Sequence, residues 1–376
     1  MAKQDWKMEY ASPAEMWEEA IPLGNGRLGA MAYGHTGIER IQLNEDTLWS
    51  SGPMERNNPA SLEKLPEIRQ LILQGKVKEA EKLMAQYMFA APYSMPHYEP
   101  LGELDIAMGV HTPFVSSWTP QSPEMDSYKG SLDLMRGVYT VTHSKDGVNY
   151  TRQMFVSFPA QVICLRLRAD KPGALDLDIQ MDRMKYSDSK SADDRRPGKV
   201  VRGGGWSAVL LQENRTYGGD TIVISGSTAG VGYAGAAKVV CDGQLLDPTS
   251  QLLVRGATEV CIYIAGSTTN REQDPKATVL NLVEKAARRG FEALLEEHIA
   301  DFEPKMRACT LDLGDEPNAL LEQRMKDFRE GGEDPALAAL YFTFGRYLIL
   351  SGSRVGSAAL NLQGIWNQDF TPSWDS

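Results

Sequence analysis

The residues best suited to bind a polar ligand cluster in the last sixteen positions. Asn361-Leu-Gln-Gly-Ile-Trp-Asn-Gln-Asp-Phe-Thr-Pro-Ser-Trp-Asp-Ser376 holds two Trp, two Asn, two Gln and two Asp, punctuated by Gly364 and Pro372. A core does not favour this mixture, because an amide or carboxylate buried without a partner costs about 1–3 kcal/mol. A sugar-binding wall does: flat rings cover the apolar face of a pyranose while amides and carboxylates bond its hydroxyls. An ordinary polar loop between helices has a similar composition, so both readings stand. A second such stretch is Asn44-Glu-Asp-Thr-Leu-Trp49, where an apolar strand gives way to amide, carboxylate and Trp. A turn capped by Asp46 or Thr47 would read the same way. The third is Ala91-Pro-Tyr-Ser-Met-Pro-His-Tyr-Glu-Pro-Leu-Gly102, a long loop of a kind that is often functional. Asn44, Glu45, Trp49, Tyr98, Glu99, Gln363, Trp366 and Asn367 are therefore the candidate substrate contacts. His97, alone in its loop, reads more simply as a solvated or capped residue. Gly24-Asn25-Gly26 suits a tight turn, but no helix follows it, so it is not read as a phosphate loop.

Periodicity identifies the elements that must position these stretches. Residues 37–43 read as a strand. Residues 61–89 carry two helical stripes, Leu62, Leu65, Ile68 and Ile72, then Val77, Ala80, Leu83 or Met84, and Tyr87, separated at Gly75, with Ser61 as a candidate cap. From about residue 103 to 265 the chain is nearly all strand. Leu175, Leu177, Ile179 and Met181 alternate with Asp176, Asp178 and Gln180, the period-two signature of a half-buried strand. Lys145-Asp-Gly147, between strands at 138–143 and 148–155, predicts a hairpin. Further strands are expected at 162–167, 208–212, 221–225, 238–241, 251–255 and 260–265. With no long helical pattern between them the sheets are antiparallel, and the count suits a large sandwich and exceeds an immunoglobulin unit. Residues 187–205 are expected to be a mobile surface loop. At Asp274-Pro275 the period becomes 3.6. Ala277, Leu280, Val283 and Ala287 mark one helix, and Phe291, Leu294, Leu295, His298 and Phe302 a second, with His298 a core or boundary histidine. A short strand at 309–313 and a helix at 318–328 complete a linker that is not expected to form a core. Asp334-Pro335 then caps a last helix whose apolar stripe is Leu337, Leu340, Tyr341, Phe344 and Leu348.

Composition narrows the function classes. The 376 residues exceed what one core usually supports. With 39 basic and 50 acidic groups the formal charge is −11, which argues against nucleic acid and anionic membranes as partners. Cys164, Cys241, Cys261 and Cys309 form no CxxC pair, so buried thiols are expected and neither a metal site nor a cofactor is. The first residues show no apolar signal region and no run approaches the ~20 residues of a membrane span. A cytoplasmic location is the simplest expectation.

Five stretches together resemble glycoside hydrolase family 95, chiefly inverting α-L-fucosidases with some α-L-galactosidases. They are Pro22-Leu-Gly-Asn-Gly-Arg-Leu-Gly-Ala-Met31, Ile41-Gln-Leu-Asn-Glu-Asp-Thr-Leu-Trp-Ser50, Tyr98-Glu-Pro-Leu-Gly-Glu-Leu104, Asp334-Pro-Ala-Leu-Ala-Ala-Leu-Tyr-Phe342, and Asn361-Leu-Gln-Gly-Ile-Trp-Asn367 with Trp374. They occur in the family's order along the chain. Tyr98-Glu-Pro-Leu-Gly-Glu departs from the family's usual Tyr-Gln-Pro-Leu-Gly-Asp, and 187–205 matches little. The resemblance implies a fold that is mainly β with a helical C-terminal part. Residues 1–273 would be a large antiparallel β-sandwich with the helical pair 61–89 inserted, 274–330 a helical linker, and 334–376 the truncated start of an (α/α)6 barrel. It implies a fucosylated oligosaccharide or glycan as substrate, α-1,2-linked fucose above all, and places the catalytic acid and base beyond residue 376, so this chain alone would be inactive. A non-catalytic carbohydrate-binding sandwich, an α-L-galactosidase and a related sandwich-plus-barrel phosphorylase are the alternatives. The sandwich is expected to pack on the barrel mouth and bring the eight candidate contacts together as one wall of the pocket.

Overall fold

The computed structural model describes residues 6–109, 120–183, 210–317 and 319–372. The expected loop at 187–205 and Trp374 lie outside the described residues. The chain opens with β1 (Lys7–Tyr10), β2 (Ile21–Gly24), β3 (Leu28–Ala32) and β4 (Ile38–Glu45), then two helices, α1 (Ala60–Leu73) and α2 (Val77–Tyr87). Six strands follow: β5 (Gly102–Met108), β6 (Ser127–Asp133), β7 (Val138–Lys145), β8 (Val148–Ser157), β9 (Val162–Ala169) and β10 (Leu175–Asp182). Six more complete the β part: β11 (Leu210–Tyr217), β12 (Thr221–Ser227), β13 (Gly232–Cys241), β14 (Gln244–Leu246), β15 (Gln251–Ala257) and β16 (Glu259–Thr268). The helical part is α3 (Pro275–Arg289), α4 (Phe291–Arg307), α5 (Leu321–Arg329) and α6 (Pro335–Gly352).

The strands form two sheets, one of nine in the order β1-β6-β7-β8-β9-β16-β13-β12-β11 and one of seven in the order β14-β15-β10-β5-β4-β3-β2. The expected hairpin is present: Lys145 pairs with Val148, and Asp146 and Gly147 take φ of 51° and 69°, the left-handed pair that joins tightly twisted strands. Ile163, Leu165, Ile262 and Ile264 of the nine-stranded sheet and Ile41, Leu43, Leu104 and Ile179 of the seven-stranded one share the main core. β10 departs from the half-buried expectation, because Asp178 and Gln180 are buried as well; Arg255 pairs with Asp178, and Gln180 bonds Asp105 and Gln251.

The helical segment after β16 does form a core, contrary to expectation. Val279, Val283 and Ala286 of α3 and Phe291 and Leu294 of α4 cluster with Phe155, Cys164, Ala236 and Tyr263 on the outer face of the nine-stranded sheet. β9 and β16 therefore have apolar layers on both sides, which is why they read as continuous apolar runs. The strand expected at 309–313 is absent; the chain there is irregular after α4. Asp334 caps α6 as expected, accepting from Leu337 N at 2.9 Å, and is held in turn by Arg324. Ser61 does not cap α1; its hydroxyl bonds Tyr87 O at 2.6 Å. The stripe on α6 is also displaced. Ala336, Ala339, Leu340, Thr343 and Tyr347 are buried, whereas Tyr341 faces solvent.

His298 is a core histidine. It is 1% exposed, stacks between Phe155 and Phe302, and bonds Arg136 O through Nε2 at 2.7 Å. Burial, the largest effect, holds its pKa down to about 4 from 6.5. The folded state thus favours neutral imidazole while the unfolded chain binds a proton below pH 6.5. The resulting stability is complete above that pH and is lost as pH falls toward 4. Lowering pH from 7.5 to 5 should cost the native protein about 2 kcal/mol more than His298→Gln; equal pH dependence in urea titrations of the two would refute this origin.

Candidate functional site: a polar seam on the sandwich

Two turns of the seven-stranded sheet receive the end of α6 and the segment after it. In the β2–β3 turn, Gly26 N donates to Ser351 O at 2.6 Å. A Cβ on Gly24 would stand 2.6 Å from Ser351 O, and one on Gly26, at φ +88°, 2.6 Å from Arg354 N. These glycines are where one backbone approaches another, a role their turn chemistry alone does not reveal. Pro22 O accepts from the Tyr347 hydroxyl and Leu23 O from the Trp366 indole, at 2.6 and 2.9 Å.

At the end of β4, Asn44 is fully buried and reads the backbone of Asn367. Its Nδ2 donates to Asn367 O at 2.9 Å and its Oδ1 accepts from Asn367 N at 3.1 Å. Gln42 Nε2 donates to the same carbonyl at 2.5 Å. The Asn367 side chain donates to Tyr98 O at 2.7 Å, and the Tyr98 hydroxyl donates to Ile365 O at 2.9 Å. Tyr98 is tied to Trp49 by an antiparallel bridge and a ring contact with centroids 5.4 Å apart.

Charge closes the other side of the seam. The Glu45 carboxylate accepts from Thr47 N and Oγ1 and faces Arg27 and Arg271. Burial, then the neighbouring Asp46, push its pKa up to about 7, with Arg27 opposing. Arg271 also pairs with Asp46 and donates to Gly356 O at 3.1 Å, and Asp46 accepts from Ala358 N at 2.7 Å. Glu99 is held by Arg183 at 2.6 Å, whose guanidinium lies over the Tyr233 and Phe370 rings.

All eight expected residues belong to this seam or to the segment docked on it. The structure brings Asn44, Tyr98, Trp366 and Asn367 together and buries them. Trp366 packs in a cluster with Ala14, Ala20, Met31 and Ile365 and offers no open stacking face. Glu45 and Glu99 are paired to arginines. Trp49 is half-buried, and Gln363, also half-buried, has an Oε1 without a hydrogen-bond partner. Reasoning from the sequence missed Gly24, Gly26, Gln42, Arg183 and Arg271. Only the alternation Gln42, Asn44 on one face of β4 could have signalled any of them. Among the described residues no group of three or more His, Cys, Asp or Glu could hold a metal ion, and no helix is long and apolar enough to cross a membrane.

Two packed antiparallel sheets followed by helices, joined by a seam rich in amides and carboxylates, define a β-sandwich protein with a helical C-terminal part. The model of the glycosyl hydrolase family 65 N-terminal domain matches residues 8–273, and that of the glycosyl hydrolase family 95 catalytic domain matches residues 290–376. The chain belongs to the family of glycosyl hydrolase family 65-type N-terminal domains, and its residues 290–376 are similar to the glycosyl hydrolase family 95 catalytic domain. It is 28% identical over 98% of its length to "Alpha-L-fucosidase 2" of Arabidopsis thaliana, covering 44% of that protein. It is 27% identical over 99% of its length to "Probable alpha-fucosidase A" of Aspergillus niger, covering 46% of it. The protein of the same name from Aspergillus oryzae matches at 28% over 97% of this chain and 50% of its own length. The chain thus spans about half the length of the curated relatives it matches.

Asn44→Ala would strip two partners from the Asn367 backbone, of which the carbonyl keeps Gln42. It should lower unfolding free energy by about 1–3 kcal/mol. Gln363→Ala removes an already unpartnered oxygen and should stay within about 0.5 kcal/mol of wild type. Thermal melts that rank the two the other way would show that the seam is not held by the Asn44 amide.

Proposed function

We propose that this chain forms part of an inverting exo-α-L-fucosidase acting on oligosaccharides or glycans with terminal, α-1,2-linked fucose. The carrying observation is the match to proteins named as α-fucosidases over nearly the whole of this chain. In such a reaction an acid protonates the leaving oxygen while a base drives water onto the opposite face of the sugar. Neither group is assigned to any residue of this chain. The sandwich supplies position: Arg271, Asp46, Tyr98, and Gln42 with Asn44 hold the backbone of the catalytic-domain segment at Gly356, Ala358, Ile365 and Asn367 respectively. Trp49 and Gln363 are the candidates for direct substrate contact, and Asn44, Glu45, Tyr98, Glu99, Trp366 and Asn367 act by fixing the wall around them. The outward face of α6, with Tyr341, Phe342 and Ile349 exposed, suits a surface that the remaining helices of a catalytic domain would cover.

Purified residues 1–376 should release no fucose from a 2-fucosylated galactoside. A chain carrying a complete family 95 catalytic domain should release it with inverted anomeric configuration, followed by proton NMR. Turnover by residues 1–376 would place the chemistry on this chain, and a retained anomer would exclude the two-carboxyl inverting route.

A further inference from the structure

Residues 46–101 are a long excursion between β4 and β5, which pair directly in the sheet. Within it α1 and α2 form an antiparallel hairpin. Gly75, at φ +75°, turns the chain between them, and Lys76 N donates to Leu71 O at 2.9 Å. Ser61 Oγ to Tyr87 O and Asn58 Nδ2 to Phe89 O, at 2.6 and 3.1 Å, strap the base. The two helices pack chiefly on each other, and Ile68 and Ala80 are their only buried residues. Every residue from 72 to 79, at the tip, is exposed. Helices of 14 and 11 residues are marginal in water without tertiary packing, and one Ile and one Ala make no core. The hairpin lacks a second layer.

The residues that would meet such a layer are apolar. Leu62 and Leu73 are 80% and 81% exposed and share one stripe of α1; Val77 and Met84, seven residues apart, share one of α2. Ile72 and Phe89 are also exposed. At roughly 170 Å² for a large apolar side chain, these six leave on the order of 600 Å² in water. That matches the largest apolar patch on an ordinary monomer and exceeds the apolar half of the ~800 Å² that one partner gives a standard interface. We propose that the hairpin packs on the same hairpin of a second copy of this chain, forming a twofold four-helix bundle. Two antiparallel helices with one apolar side are half of such a bundle, and an identical hairpin supplies the other half at equal length. The apolar residues continue to the tip, about 20 Å from the strapped base, which a cover confined to the seam would not reach. Each hairpin is rooted in its sandwich, so the twins lie tip to base and keep the two bodies apart. Charge agrees with that arrangement: the tip carries Arg69, Lys76 and Lys78 against Glu79, and it would approach a chain of net charge −11. The proposal does not depend on the fucosidase reading.

Sedimentation equilibrium of residues 1–376 over a wide concentration range should give a mass rising toward twice the 41.5 kDa of the chain. Leu62→Glu and Leu73→Glu each place two charges in the bundle and should raise the dimer Kd at least about a hundredfold. Both residues are exposed in the single chain, so near-UV circular dichroism should stay that of wild type. A wild type that stays monomeric overturns the proposal, as does a dimer that survives both glutamate variants. A second measurement does not depend on those variants folding. In a Cys309→Ser background, oxidising a mixture of the Leu62→Cys and Leu73→Cys chains should yield the mixed 62–73 disulfide dimer, as tip-to-base packing requires; no mixed dimer would overturn that packing. The same mass measurement on a chain carrying a complete catalytic domain should also show a dimer. A monomer there, with the amides of residues 60–87 protected from hydrogen exchange, would assign the hairpin to the catalytic domain and overturn the contact between copies.

Discussion

The placement of the C-terminal segment depends on one amide reading a backbone. Asn44 exchanges two hydrogen bonds with the N–H and C=O of Asn367, the pair that a neighbouring antiparallel strand would exchange with its partner. Here a side chain supplies both, so an irregular segment can attach to the face of a strand already paired on both edges. Gln42 lies two residues earlier on the same face of β4 and adds a second donor to the Asn367 carbonyl, using its second lone pair. With Asn44 and Asn367 both fully buried, any other seating of this segment would leave several amide groups dry and unpaired. The geometry is therefore specified by hydrogen-bond satisfaction more than by apolar area.

Charge reinforces the seat without adding much stability. Arg27 and Arg271 meet Glu45 and Asp46 where water is largely excluded, and the cost of desolvating Glu45 shows in its raised pKa. What the cluster contributes is register, because Arg271 and Asp46 each spend a bond on the backbone beyond α6, at Gly356 and Ala358. Arg183 does the same on the far side, pairing with Glu99 while its flat face supports Phe370. The sandwich, the docked segment and the loop at 89–101 meet through Tyr98, which belongs to the loop and bonds the segment.

Much of this architecture is legible in one dimension because it is local. Asp146-Gly147 dictates its hairpin through positive φ, Asp334-Pro335 starts α6, and the stripes at 275–307 are helical by period alone. The antiparallel sandwich follows from many short strands with no long helix between them. The role of the seam residues is not local. Amides, carboxylates and Trp look the same in a row whether they face a sugar or another segment of the chain, and Trp366 turned inward because Leu23 offered it a carbonyl across 343 residues of sequence. The helices at 275–307 form a core because the outer face of the nine-stranded sheet lacks a covering layer, a fact about two distant elements.

By itself the sequence determined most element types, the antiparallel sandwich, the Asp334 cap and the family resemblance. Each rests on periodicity, backbone preference or a motif read within a few residues. Only the tertiary structure decided which polar groups were already satisfied. Burial and hydrogen-bond partnership are properties of pairs far apart in the chain: Gly24 and Gly26 with Ser351 and Arg354, Asn44 with Asn367, Glu99 with Arg183. Where such a partner exists a conspicuous polar residue is structural. Where it does not, as at Gln363 Oε1, the polar atom is left without a hydrogen bond.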